Sequence, residues 1–289
     1  MSDPHRELGE FLCRARARRE PETTGLIPDG RIRRVPGLRR EEVALLAGVS
    51  TDYYTRLEQG RSLSPSLQVI DALVRALGLD PAGESYLRTL VGAAGAGVSR
   101  SRPSVQRVRP GLHQLLDSFR TQPALILGRR TDILASNALA RALFADFESM
   151  PAVHRNYARW MLLDDGARDL FREWEEQARN AVEALRLDAA RTPDDRGIQQ
   201  LVGELSVASS EFRQWWSAHR VHQRTHGTKG LNHPLVGELD VQFETFTLPG
   251  ETSQTLYVYT TEPGSASQQS LSVLASGMQT ATAEGRASR

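Results

Sequence analysis

Apolar residues recur at helical spacing through the N-terminal third of the chain. Leu8, Phe11, Leu12 and Ala15 predict a helix over residues 4–19. Val43, Leu46 and Ala47 mark one face of a short helix, Glu41–Ala47. Gly48 then supplies a left-handed or turn conformation without a Cβ cost, Val49 fills the corner, and Ser50 suits an N-cap. Tyr54 and Leu57, three apart, give an inner face to a second short helix, Thr51–Gln59, which Gly60 ends. Leu67, Ile70, Leu73, Val74 and Leu77 stripe a helix over 65–78, with Ser64 as its cap and Pro65 in its first turn. Asp80-Pro81 opens a further helix to about Val91. The intervening 20–37 carries three prolines and three glycines, which exclude helix. Residues 1–92 are therefore predicted to form an all-α, five-helix domain.

The pattern then changes. Residues 93–111 are Gly/Ala/Ser-rich and then basic, as in an interdomain linker. Within 112–289, helices are predicted over Gly111–Arg120, Asn137–Phe147, His154–Met161, Gly166–Ala190, Arg196–Glu204 and Ser210–His222. In the longest of these Leu170, Trp174, Ala178, Ala181 and Leu185 point inward, and Ser209/Ser210 caps the last. Ala124–Leu127 and Ile133–Ala135 read as strands around a turn at Gly128–Asp132. Leu239, Val241, Phe243 and Phe246 lie in another strand region, and Thr255–Thr261 is rich in β-formers, with a hairpin at 247–251. The tail is expected to hold one short helix and a frayed end. The second domain is thus an α+β layout, an antiparallel sheet with helices inserted between its early and late strands.

Two helices joined by a glycine-containing turn make a helix-turn-helix, which offers the start of its second helix to the DNA major groove. Thr51 and Asp52 are placed to approach base edges, Arg56 to read guanine or grip phosphate, and Tyr53 and Arg61 to touch the backbone, with Ser50 counted in the same DNA-binding set. Arg31, Arg33, Arg34, Arg39 and Arg40 cluster just ahead of it and suit a phosphate-gripping arm reaching the adjacent minor groove; a solvated loop is the competing reading. The charge distribution agrees. Net charge is +1, but residues 1–110 hold 18 basic and 13 acidic residues (+5) and the remainder 18 and 22 (−4). Lys229 is the only lysine; arginine suits phosphate and guanine geometry, although genomic base composition accounts for most of that bias. The single cysteine, Cys13, excludes an intrachain disulfide and fits a reducing cytosol. A signal peptide and a membrane-spanning apolar run are both missing from the pattern, as are a phosphate loop, a nucleophile elbow and a zinc-protease signature.

Trp160, Trp174, Trp215 and Trp216, with Met161, Phe171 and Phe212, suit the walls of an apolar ligand pocket. Asn156, Tyr157, Arg159 and His219 are the candidates for meeting a ligand's polar end. His219, His222 and His226 would share a helical face and suggest zinc, but Gly227 and Thr228 argue that the helix frays first, and no metal is expected.

Glu42-Val43-Ala44, Ala47-Gly48-Val49-Ser50 and Leu57-Glu58-Gln59-Gly60-Arg61 together resemble the Cro/repressor-like (XRE) helix-turn-helix family. That resemblance implies a pairing of Glu58 with an arginine of the first helix, Arg14 or Arg18. Arg155–Leu162, Leu201–Ser206 with Ser210-Glu211-Phe212, and His233–Leu239 extend it to the MmyB-like regulators of actinobacteria, over about residues 6–265. It implies a PAS-like effector domain with an apolar pocket for fatty-acid-like ligands. The expected function is a one-component, sequence-specific transcription regulator, cytoplasmic and nucleoid-associated. It would bind double-stranded DNA as a homodimer, with no catalytic residue and no cofactor. The alternatives are a DNA-bound scaffold and a metal-dependent protein without small-molecule sensing.

Overall fold

The computed structural model describes residues 4–26, 37–61, 65–95, 106–248 and 251–287. The chain divides into two compact units. The first comprises residues 1–102 with 186–200 and 213–223, and the second the remainder.

The first unit carries α1 (Pro4–Arg18), a 3-10 turn at Pro21–Thr24, α2 (Arg40–Ala47), α3 (Thr51–Glu58), α4 (Leu67–Leu77) and α5 (Pro81–Gly95). α1 packs on α3 and α5, and α2 on α3 and α4. Leu8, Phe11, Leu12 and Ala15 are all buried, and Phe11 meets Tyr86 edge-on at 5.0 Å. Gly9 permits the close approach of α1 to α3: a Cβ there would stand 2.3 Å from the Glu58 carbonyl oxygen. α4 begins at Leu67, the first residue of its apolar stripe and two residues later than the expected start at 65. Pro65 and Ser66 precede it, and Ser66 Oγ accepts the Val69 N–H at 3.4 Å, so the cap is Ser66; Ser64 lies outside the described residues. Leu187, Ala190 and Val221, from the two later segments, belong to the same apolar core.

The second unit contains α6 (Pro110–Ser118), β1 (Ala124–Leu127), β2 (Ile133–Ser136), α7 (Ala138–Leu143), α8 (Tyr157–Leu163) and α9 (Asp165–Leu170). Then come α10 (Trp174–Arg191), α11 (Arg196–Ala208), α12 (Ser210–Ser217), β3 (His226–His233), β4 (Gly237–Leu248), β5 (Glu251–Thr260) and α13 (Ala266–Ala287). The C-terminal ends of α10 and α12 and the first turn of α11 are counted with the first unit. The five strands form one antiparallel sheet in the order β2-β1-β5-β4-β3, with the helices inserted between β2 and β3. Its register separates two faces. Ala124, Ile126, Leu248 and Leu256 pack with Leu116 of α6 on one, while Val241, Phe243 and Tyr259 line the other.

Three local expectations are corrected. The helix expected over 166–190 is interrupted between α9 and α10. Phe171 is extended there and bridges Leu231, and the Arg172 N–H donates to the Gly230 carbonyl at 3.0 Å. A tertiary strand contact overrides helical periodicity at that point. β3 is a strand that periodicity does not show, because HGTKGLNH is poor in β-formers; it pairs with β4 throughout. Finally, α12 stops at Ser217 rather than His222, and His219 sits in a left-handed conformation, φ 50. His219, His222 and His226 therefore do not share a helix, and His226 opens β3.

Candidate functional site

The turn between α2 and α3 is built locally. Gly48 is left-handed at φ 66, the Gly48 and Val49 N–H groups return to Leu45 and Ala44, and Ser50 Oγ accepts the Tyr53 N–H at 3.1 Å. At the start of α2 the Arg39 N–H donates to Glu42 Oε2 at 2.6 Å. Tyr54 and Leu57 are fully buried, so the outer face of α3 is set by default: Thr51, Asp52 and Arg56 are exposed and Tyr53 half-buried. Arg56 and Asp52 approach to 3.8 Å across one turn, leaving both in water. Ser50, Arg40 and Arg61 are exposed and Arg39 is half-buried beside the same turn. Arg31, Arg33 and Arg34 lie outside the described residues.

Glu58 locks the end of α3 onto α1. Its partner is Arg16, not Arg14 or Arg18: Arg16 Nε donates to Oε1 at 2.5 Å, and Arg40 Nε to Oε2 at 2.6 Å. The reason is position. Arg16 follows Leu12 by one turn on the buried face of α1, whereas Arg14 and Arg18 face water. Arg16 Nη1 also donates to the Leu38 carbonyl at 2.8 Å. Burial works against a charged Glu58, but the hydrogen bonds from Arg16 and Arg40 prevail and hold its carboxyl below the usual range.

A second ionic cluster belongs to the first unit. Glu7 accepts from the Tyr86 hydroxyl at 2.8 Å and pairs with Arg186, whose guanidinium lies 4.1 Å over the Trp216 ring. His219 Nε2 stands 3.0 Å from Glu10 Oε2. Burial opposes ionisation of Glu7, yet its hydrogen bond from His219 and the charge of Arg186 lower it to about 2. Donor atoms of Glu7, Glu10 and His219 lie within 4.8 Å of one another. Because the guanidinium of Arg186 already neutralises Glu7, the arrangement reads as an ion-pair network.

In the second unit, the inner sheet face meets a set of aromatic rings. Phe144 touches Tyr259 at 4.9 Å, Trp160 packs edge-on against Phe147 at 5.2 Å, and Tyr157 and Phe171 each lie 5.8 Å from Trp160. Lys229, on edge strand β3, projects into this set. Its Nζ donates to the Tyr157 hydroxyl at 3.0 Å and lies 5.2 Å from Phe243, 5.4 Å from Tyr157, 5.5 Å from Phe171 and 6.0 Å from Tyr259. Burial, and then repulsion from Arg224, lower the amine to about 7. Pattern reading misses this residue, although its being the only lysine was a usable signal.

The expected ligand residues fall in different places. Tyr157 and Trp160 join the aromatic set. Met161 is fully buried, and its carbonyl accepts the Trp174 indole N–H at 2.7 Å. Asn156 caps α8 by accepting the Arg159 N–H at 3.0 Å and donates to the Arg130 carbonyl at 2.6 Å. Arg159 pairs with Glu204, and Phe212 is buried. Trp215, Trp216 and His219 belong to the first unit. A cleft of about 460 Å³ opens beside β5 and α13, with Gln122, Gln242, Thr260 and Gln268 in its lining and none of the expected ligand residues. No helix among the described residues is long and apolar enough to cross a membrane.

A family model described as MmyB-like transcription regulator ligand binding domain matches residues 108–274, and a helix-turn-helix domain model matches residues 7–87. No curated protein matches the chain. A DNA-presenting helix pair at one end and a match to the regulator's ligand-binding domain over more than half the length lead to one conclusion: the chain belongs to the MmyB-like transcription regulators and is a DNA-binding regulator with a ligand-binding domain.

Proposed function

We propose that this protein is a one-component regulator of the XRE type that reads a two-fold operator as a homodimer and answers to an apolar, fatty-acid-like effector held in its second unit. The observation that carries the DNA half is the division of α3. Tyr54 and Leu57 are committed to the core, which leaves Thr51, Asp52 and Arg56 outward at the helix start. Dimerisation follows from information content, since one helix reads few bases and paired half-sites lie about one turn of DNA apart. The aromatic set on the inner sheet face supports the effector half. Its part is regulation rather than catalysis, and the cytoplasm is where its DNA target lies.

DNA selected from a random pool by the purified protein is the reagent for the test. Arg56→Ala and Thr51→Ala should each weaken binding to the selected DNA by about 1–3 kcal/mol and relax preference at the contacted base. Arg61→Ala should weaken all sequences alike and lower the salt slope by about one. Mobility-shift titrations in which both Arg56→Ala and Thr51→Ala bind like wild type would show that α3 is not the reading helix. For the effector, native mass spectrometry of the full chain should find a retained apolar acid. A spectrum holding only the bare chain, before and after incubation with such acids, counts against the effector half.

A further inference from the structure

Among the described residues, three arginines at or near the cores each meet a carboxylate. Arg16 meets Glu58, Arg186 meets Glu7 and Arg159 meets Glu204. Lys229 is only 7% exposed, and among the described residues no carboxylate approaches its amine. Its ammonium form has three N–H donors, and the structure uses one, toward the Tyr157 hydroxyl. The phenol O–H of Tyr157 likewise has no acceptor among the described residues. A buried donor left unspent is costly, so native interiors satisfy it by some means. Here the aromatic faces of Phe171, Phe243 and Tyr259 offset part of the cost of a cation but accept no hydrogen bond of ordinary strength. Tyr157, whose hydroxyl the amine meets, is half-buried, and Lys229 is buried.

We propose that Lys229 and Tyr157 are the polar anchor of the effector site, and that the missing partner arrives with the effector as a carboxylate at the end of an apolar body. This rests on the reading that the second unit takes an apolar effector. A carboxylate accepts through two oxygens, enough to take the two free ammonium hydrogens and the phenol hydrogen together. Its single negative charge neutralises the amine in the dry setting where that matters most. An alcohol brings one acceptor and no charge, and a cationic head is repelled. The rings that cage the amine then continue as the wall against which the effector's carbon chain lies. Lysine suits the place better than the arginine used everywhere else in the chain, because a compact ammonium on a slender stem fits among four rings.

The test compares octanoate, dodecanoate and hexadecanoate with the matching primary alcohols, titrated calorimetrically into the full chain. Wild type should bind the best acid at least about tenfold more tightly than its alcohol, the factor one charge-assisted hydrogen bond supplies. Lys229→Met should bring that ratio to about one while leaving alcohol affinity in place, since Met occupies the same volume without the charge. Tyr157→Phe should remove part of the preference and serves if Lys229→Met is poorly folded by circular dichroism. If acid and alcohol bind wild type alike, or if both variants keep the acid preference, the anchor is wrong and the apolar-effector reading survives. If neither series binds wild type at all, that underlying reading fails and the anchor goes with it.

Discussion

Lys229→Met should make the protein more stable, and the gain should be largest below neutral pH. The amine is lowered from its ordinary 10.5 to about 7 by burial, with Arg224 adding to the effect. The unfolded chain therefore holds that proton more firmly than the folded one. The penalty is present in full below about pH 7, shrinks as pH rises from 7 toward 10.5, and is gone above it. A displacement of that size corresponds to roughly 4–5 kcal/mol at most, and relaxation around the ammonium leaves on the order of 2–3 kcal/mol. Tyr157 and Tyr259, which face the amine, are both pushed upward by burial, so neither phenol ionises across the lower part of that window. Methionine adds thioether contacts with the same rings. Urea unfolding of wild type and variant at pH 6 and pH 9.5 gives the measurement, with the wider gap expected at pH 6. A gap that is flat with pH would mean that the amine reaches water in the folded protein. A residue that costs the fold this much, where an apolar one would fit, is a mark of a functional site.

Glu58→Gln should destabilise the helix-turn-helix by about 2–4 kcal/mol, because it strips the charge from one side of a buried ion pair and leaves Arg16 behind. The two side chains are 2% and 11% exposed, so water does little to screen the loss. Glu58 is the last residue of α3, and its carboxylate ties that helix to α1 through Arg16 and to the start of α2 through Arg40. Orientation of the reading face should therefore loosen along with the fold, and DNA affinity should drop more than the exposed position of Arg56 would suggest. The pH dependence has the opposite sense to that of Lys229. Glu58 is held below its ordinary 4.5, so its contribution is present above that pH and is lost as pH falls through its folded value. Wild type and variant should differ clearly at pH 7 and converge in stronger acid. Equal urea midpoints at pH 7 would show that the pair contributes nothing to the fold.

How much of this was legible depends on where each feature's cause lies. The helix-turn-helix is local: Gly48, Ser50 and the Tyr54/Leu57 spacing act within a turn or two, and the structure returns them as read. The Glu58 pairing was legible in kind but not in identity, since Arg14, Arg16 and Arg18 differ only in which face of α1 they occupy. Residues 171–173 and β3 were illegible for the same underlying reason. Phe171 leaves the helix to pair with Leu231, sixty residues on, and HGTKGLNH becomes a strand because the neighbouring β4 offers it a ladder, so each is decided by a pairing partner and not by its own periodicity.

By itself the sequence determined the class of each region, the helix-turn-helix and the regulator family, because those rest on short-range periodicity, capping and motif spacing. Tertiary structure alone decided which arginine Glu58 finds, where α9 ends and which expected ligand residues share a site. It also turned the lone lysine into a buried amine with unspent donors. Burial and pairing depend on what the rest of the fold places alongside a residue, and that is information no single stretch of chain contains.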